Sequence, residues 1–292
     1  MSINQPLVSI SVITFNHAPY IEKCLTSILE QETDFDFEIL VHDDASTDGT
    51  QAIIESFQKR YPDKIKPVYQ TVNQYSQGFR RVSYLYNYNR VKGKYLASCE
   101  GDDYWCDPQK MQMQLDALER NPTCSLSFTA NHYLFPDELS HKNKIHRFAT
   151  KSGERIFNIE DVIREGGNFM HTGSMFFHFD KIPSLDVQFV KEAPIGDLPM
   201  SLYLALQGDI IYIDKVTTVY RVFTPTSWTS SQRKSLKNQK FFYDAMVKMW
   251  KQFDEYTKEK YHKKVAKVIR YTHKRRMINM FKYILVKCGL QV

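Results

Sequence analysis

The first half of the chain alternates short apolar runs with segments of helical spacing. From Leu7 to Phe15 almost every residue is apolar or β-branched, which predicts a buried strand. Asn16-His17-Ala18-Pro19 breaks it, and from Tyr20 to Gln31 the residues Ile21, Cys24, Leu25, Ile28 and Leu29 recur on one face of a helix. Phe37 to Val41 predicts a second strand, Thr50 to Arg60 a helix, and Ile65 to Tyr69 a third strand. A helix is predicted over Arg81 to Val91, then Gly93 and a strand from Tyr95 to Cys99. Asp107-Pro108 opens another helix to about Asn121, with proline where its missing N–H is harmless. Strands alternating with helices of about ten to fifteen residues predict βαβ units and an α/β fold with a mixed, mostly parallel sheet.

Beyond Ser125 the pattern loosens. Ser125 to Tyr133, Met175 to His178, Ile210 to Ile213 and Val216 to Arg221 are strand candidates, and Leu198 to Leu206 is a helix candidate. Phe135 to Ser152 is polar and turn-rich and predicts a loop. Ser235 to Leu290 predicts two or three helices.

The chain has 292 residues, enough for one large domain or two small ones, and its 42% hydrophobic and 25% charged residues are those of a globular protein. The first residues lack the basic head of a signal peptide, and no apolar run of about eighteen residues predicts a membrane span. The cysteines Cys24, Cys99, Cys106, Cys124 and Cys288 are odd in number, scattered and without CxxC spacing. They argue against a disulfide framework or a zinc site and lead to the expectation of a reducing, cytoplasmic location. The net charge of +6 is uneven, because Lys and Arg crowd the last sixty residues or so, interleaved with aromatic and aliphatic residues. Three readings of this tail stand side by side: peripheral contact with an anionic membrane surface, a grip on nucleic acid, or the solvated face of packed helices.

The chemistry concentrates at strand ends. Glu100-Gly101-Asp102-Asp103 places three carboxylates directly after the strand from Tyr95. Such close like charges repel unless donors or a cation lie between them, and hard divalent ions bind through carboxylates together with substrate phosphates. The first strand ends in Thr14-Phe15-Asn16 and the second in Asp43-Asp44-Ala45-Ser46-Thr47-Asp48-Gly49-Thr50. In an open α/β sheet these ends line one ligand crevice. Ser46 to Thr50 also suits a helix cap, which accounts less well for Asp43, on the strand end itself.

The strings Val8-Ser9-Ile10-Ser11-Val12-Ile13-Thr14-Phe15-Asn16, Asp43 to Thr50, and Gly93-Lys94-Tyr95-Leu96-Ala97 followed by Glu100-Gly101-Asp102-Asp103 resemble the family-2 inverting glycosyltransferases of GT-A fold. The resemblance covers about residues 7–225 and rests on three motifs in one order. It implies a GT-A domain over 1–230, with a nucleotide-sugar-binding half at 1–122 and an acceptor-binding half at 123–230, followed by a basic helical extension at 231–292. It implies that Thr14, Phe15 and Asn16 line the nucleotide pocket, that Asp43 and Asp44 hold the base, and that Asp102 ligates Mn2+ or Mg2+. Glu100 and Gly101 would sit near the ribose, with glutamate where the family's Asp-x-Asp motif has its first aspartate. Asp103, Trp105, His171 and Arg221 would face donor sugar or acceptor, with Trp228 a second stacking platform. Gly196-Asp197 resembles the family's acidic dipeptide, with glycine for its first acid, and makes Asp197 the general base. Phe223 stands near the place where many relatives carry a histidine.

The function so implied is transfer of a sugar, with inversion, from a nucleotide-sugar, expected to be a UDP-sugar, to a glycan or lipid-linked acceptor in bacterial surface polysaccharide synthesis. The enzyme would be cytoplasmic or peripheral at the inner face of the membrane. A catalytically inactive nucleotide- or glycan-binding protein is the rival reading, favoured by the departures at Glu100, Gly196 and Phe223. A nucleotidyltransferase is disfavoured, because Asn16-His17-Ala18-Pro19 is not a glycine-rich basic loop. Nucleic acid is not an expected partner, since an acidic crevice repels phosphate unless metal is bound.

Overall fold

The computed structural model describes residues 5–79, 81–135, 144–151, 153–182, 184, 186–222, 224 and 235–287. Phe223 and Trp228 lie outside these described residues. Strands β1 (Val8–Thr14), β2 (Phe37–Asp43), β3 (Ile65–Tyr69) and β4 (Tyr95–Glu100) alternate with α1 (Ile21–Leu29) and α2 (Thr50–Arg60), as the periodicity predicts. They pair in parallel in the order β3-β2-β1-β4. Almost every side chain of β1 and β2 is buried, because α helices cover both faces of a parallel sheet.

The sheet then continues into the second half of the chain. Next come β5 (Tyr104–Trp105), α3 (Lys110–Arg120), β6 (Cys124–Leu134), β7 (Lys144–His146), β8 (Glu154–Phe157) and α4 (Ile159–Glu165). After them follow β9 (Phe176–His178), α5 (Gln188–Lys191), α6 (Asp197–Gln207) and β10 (Asp209–Arg221). The central path runs β3-β2-β1-β4-β9-β6-β10-β5, with β7 against β6 and β8 against β10. Strand β9 is antiparallel to both β4 and β6, so it joins the two halves into one mixed sheet.

Several segments differ from their sequence pattern. Arg81 to Val91 is not a regular α-helix: a π turn at Ser83–Asn87 runs into a 3-10 turn at Tyr88–Arg90. The wide turn accompanies a buried Asn87 amide that donates to Ser11 Oγ, Val12 O and Leu40 O at 3.0, 3.2 and 3.0 Å, tying the segment to the sheet. The polar stretch after Phe135 contains β7, and the two candidates at 210–213 and 216–221 form a single strand, with register shifts near Val216. Helix α4 is set by a capping box between Asn158 and Asp161.

The C-terminal region is a helical hairpin, α7 (Leu236–Tyr256) and α8 (His262–Lys287). Met246, Met249, Trp250 and Phe253 of α7 and Val265 of α8 are buried in the same apolar cluster as Phe128, Leu202 and Tyr212. The hairpin is thereby anchored on the second-half face of the sheet. No helix among the described residues is long and apolar enough to cross a membrane.

Candidate active site

The carboxyl ends of β1, β2 and β4 meet at one edge, as the parallel pairing of Thr14 with Asp43 and of Ile13 with Glu100 requires. They open onto a cavity of about 1540 Å³ whose walls include Thr14, His17, Glu100, Asp102, His171 and Asp197. Phe15, Asp44 and Tyr220 also line it.

The chain enters the site through a strained turn. Asn16 has φ 54°, in the left-handed region that asparagine tolerates better than most residues. Its N–H donates to Ser46 Oγ at 2.8 Å and its Oδ1 accepts from Thr47 N at 2.8 Å, which locks the β1 turn to the β2 loop. Asp43 Oδ1 accepts from Ser46 N at 2.9 Å and Gln51 Nε2 at 2.6 Å, while Oδ2 is buried with no donor. Asp44 uses both oxygens on backbone, accepting from Gln74 N at 2.7 Å and Tyr75 N at 3.0 Å, and so shapes the loop after β3. Asp48 accepts from Thr50 N and Ala18 N, each at 3.0 Å, the capping work expected of this loop.

At the end of β4, one carboxylate oxygen each of Glu100, Asp102 and Asp103 lies within 4.8 Å of the others. Burial, followed by the Asp102 and Asp197 charges, pushes the Glu100 carboxyl up to about 8. Burial and the charges of Asp102 and Glu100 likewise hold Asp103 well above the usual carboxylate range. Gly101 lets this turn approach β1, because a Cβ there would lie 2.7 Å from Thr14 Cβ and 2.9 Å from His17 Nδ1. An all-oxygen acidic cluster, with an unpartnered buried Thr14 Oγ1 beside it, fits a hard divalent ion. Asp102 and Glu100, which line the cavity, are the residues that could hold it, and it would supply positive charge there.

The three acids do not share one role in the structure. Asp102 Oδ2 accepts from Thr224 Oγ1 at 2.9 Å and lies 3.9 Å from His17 Nε2. Asp103 is only 1% exposed; its Oδ1 accepts from Arg221 N at 2.8 Å and its Oδ2 lies 3.4 Å from His171 Nε2. It therefore points between β10 and His171. His171 Nδ1 accepts from Gly173 N at 3.2 Å, which leaves the proton of the neutral ring on Nε2, toward Asp103. Burial lowers this imidazole to about 3, and the ring lies against Tyr220 with centroids 4.3 Å apart.

Trp105 and Arg221 both make structural contacts. Trp105 is buried in the core, donates Nε1–H to Gly173 O at 3.1 Å and lies under Lys110 Nζ at 4.2 Å, so its ring offers no sugar platform. Arg221 donates to the Asp102 carbonyl and lies between Tyr20 and Tyr104, at 5.0 and 4.7 Å from their ring centres. Its guanidinium clasps the acidic turn through this one bond.

Asp197, also on the cavity lining, opens α6 as its first residue, behind an N-cap at Gly196 that has no side chain to offer. Its Oδ1 accepts from Leu198 N at 2.8 Å, and burial raises its carboxyl above the ordinary value. The loop before it is held by Arg81, which donates to Val190 O, Ala193 O and Ile195 O at 2.9, 2.5 and 2.8 Å. The sequence reading missed Arg81 and His17, and it also missed His42. That ring lines the cavity, stacks on Tyr86 at 4.5 Å, has neither nitrogen partnered and is lowered by burial to about 4. His17 and His42 each neighbour a motif that was read, Asn16 and Asp43, and that adjacency was the available signal.

The fold and this strand-edge acidic site define a GT-A type protein, and residues 9–182 match the model of glycosyl transferase family 2. The chain belongs to that family. It is 31% identical over 229 residues to an uncharacterised protein of Mycobacterium tuberculosis, covering 77% of this chain and 61% of that one. It is also 32% identical over 134 residues to TuaG of Bacillus subtilis, a glycosyltransferase named for teichuronic acid biosynthesis, covering 46% and 50%. It thus spans less than two thirds of these relatives' length. In fold it is similar to TarS of S. aureus solved with UDP-GlcNAc, with TM-score 0.56 and 16% identity over 84% of this chain and 66% of that one. A Pyrobaculum calidifontis mannosyltransferase solved with GDP-Man and Mn2+ gives TM-score 0.53 and 18% identity over 86% and 64%.

Proposed function

We propose that this chain is an inverting, metal-assisted glycosyltransferase that uses a nucleotide-sugar, preferentially a UDP-sugar, to extend a glycan or lipid-linked acceptor in surface polysaccharide synthesis. The observation that carries the reading is one cavity lined by Glu100 and Asp102 and also by Asp197, with its raised carboxyl. The family match, the relative named for teichuronic acid synthesis and the two nucleotide-sugar complexes of similar fold support it.

The buried, unpartnered Asp43 Oδ2 is an acceptor suited to a base N–H, with His42 and Asp44 nearby on the cavity wall. Asp102, Glu100 and the neutral ring of His17 cluster where the diphosphate would lie. A divalent ion bound here would offset charge developing on the departing nucleotide. Asp197 Oδ1 is occupied by Leu198 N, so the other oxygen takes the proton of the acceptor hydroxyl. The acceptor oxygen then bonds to the anomeric carbon from the face opposite the nucleotide. The carbon–oxygen bond to the diphosphate breaks, and its electron pair leaves with the nucleotide. An α-linked donor would give a β-linked product. Asp103 and His171 support the floor of the site through their mutual contact.

The test is hydrolysis of a panel of UDP-, GDP- and dTDP-sugars, with and without Mn2+, by wild type, Asp102→Ala and Asp197→Asn. Mn2+-dependent release of one nucleotide that is lost in Asp102→Ala supports the reading and names the donor. Loss of about 10²–10⁴-fold in transfer with retained binding in Asp197→Asn supports the base. Binding without turnover, in the presence of glycan acceptors, would favour the inactive binding protein, and no binding at all would overturn the proposal.

A further inference from the structure

Helix α8 has one packed side and one open side. Val265 and Thr272 are buried and Val268 and Ile269 partly so, which fixes the side turned toward the domain. At 3.6 residues per turn the opposite side carries Lys263, Lys267, Arg270 and Lys274, all exposed, and then Met277, Ile278 and Phe281. The last three are 68%, 44% and 62% exposed, and Tyr271 on the flank of this side is 58% exposed. Arg276 pairs with Asp244 at 2.6 Å and Asn279 donates to Tyr243 Oη, so the start of α7 lies along the end of α8. Phe241, 66% exposed, therefore stands at the same end of the hairpin. The result is an apolar tip behind a row of cations.

Charge selects the occupant. From His262 to Lys287 the sequence holds Lys263, Lys264, Lys267, Arg270, Lys274, Arg275, Arg276, Lys282 and Lys287 and not one Asp or Glu. Lys263, Lys267, Arg270 and Lys274 make no ion pair among the described residues, whereas Lys264 pairs with Glu160 at 2.6 Å. A second copy docked through this face would set cation against cation. A nucleic acid would answer the charge but not the row of exposed Met277, Ile278 and Phe281. An anionic bilayer answers both, the cations at its phosphates and the apolar tip among the acyl chains.

We propose that the open face of α8 docks on an anionic lipid bilayer, with Met277, Ile278 and Phe281 inserted and Arg270 and Lys274 at the headgroups. From its flank, between the packed and the open side, the same helix contributes Lys264, Tyr271 and Arg275 to the wall of the cavity that holds Asp197. Docking therefore sets the acceptor end of that cavity beside the lipid surface, a placement that rests on the proposed function. It deepens that function by selecting an acceptor carried at a membrane.

The test is co-sedimentation of the full chain with vesicles of phosphatidylcholine alone or mixed with phosphatidylglycerol, beside nucleotide-sugar hydrolysis in solution. Wild type binds the mixed vesicles only, and binding falls with salt. Arg270→Glu with Lys274→Glu weakens it about 25-fold or more, at about fivefold per charge. Met277→Ser with Phe281→Ser weakens it about tenfold or more. All four positions are surface-exposed, so circular dichroism melting and hydrolysis in solution stay as in wild type, which separates failure of docking from failure of the transferase reading. Equal binding to both vesicle types, no binding to either, displacement from mixed vesicles by a single-stranded RNA oligonucleotide, or a dimer that Phe281→Ser dissociates would each overturn the proposal.

Discussion

The guanidinium of Arg81 donates to Ile195 O at 2.8 Å, two residues before Asp197. With its bonds to Val190 O and Ala193 O, one side chain fastens three carbonyls from α5 to just before the start of α6. Arg81→Met should lower kcat for transfer about 100-fold while KM for the donor changes little, because misplacing a reacting group by about 1 Å has that order of effect. Arg81→Lys should not restore it, since an ammonium cannot reproduce the planar fork. Steady-state kinetics on both variants check this; an unchanged kcat in Arg81→Met would remove the positioning role.

Gly101→Ala tests the close approach of β4 to β1. The added methyl would meet Thr14 Cβ and Oγ1 at 2.7 Å, inside van der Waals contact. The turn must move, at a cost of about 1–3 kcal/mol, and Asp102 moves with it. Thermal unfolding should show a lower Tm, and Mn2+-dependent nucleotide binding measured by calorimetry should weaken.

His42 predicts an acid limit to stability. Burial lowers its folded value to about 4 from 6.5, so the unfolded chain binds more protons between those values. Stability therefore falls as pH drops from about 6.5 to about 4, by about 2–3 kcal/mol from this ring. His42→Phe, which keeps an aromatic face against Tyr86, should flatten that part of the curve in urea titrations at stepped pH. A slope equal to that of wild type would show that other groups set the acid limit.

Lys110 predicts the alkaline counterpart. It is fully buried, donates to Gln114 Oε1 at 2.6 Å and is lowered by burial to about 7. Between about 7 and 10.5 the unfolded chain holds this proton and the folded chain does not, so stability should rise with pH across that window, by about 4 kcal/mol from this group. Lys110→Met should abolish the rise. The same urea titrations, extended to alkaline pH, measure it.

The strand ends were legible because period and composition agree there: β1, β2 and β4 are mostly apolar runs that stop at polar clusters. The acids at 100–103 were legible as a group but not as individuals. Nothing local to Asp103 announces that a backbone N–H from β10 and a ring at 171 will enclose it, and nothing local to Trp105 announces the lysine over its ring. Asp44 reads like a ligand and folds the loop after β3, because its partners lie 30 and 31 residues away. Arg81 was invisible for the same reason, with partners more than a hundred positions on. Sequence period reports burial, while side-chain partners belong to tertiary structure.

The acidic turn is closed from far along the chain, by Arg221 N on Asp103, 118 residues later, and Thr224 Oγ1 on Asp102, 122 residues later. In water the mutual repulsion of such acids is weak, and it grows as they are buried together. The donors that two of them need come from Arg221 at the end of β10 and from Thr224 beyond it. The nucleotide-side half of the chain therefore holds the acids but cannot close around them by itself, and the site is complete only when both halves are joined.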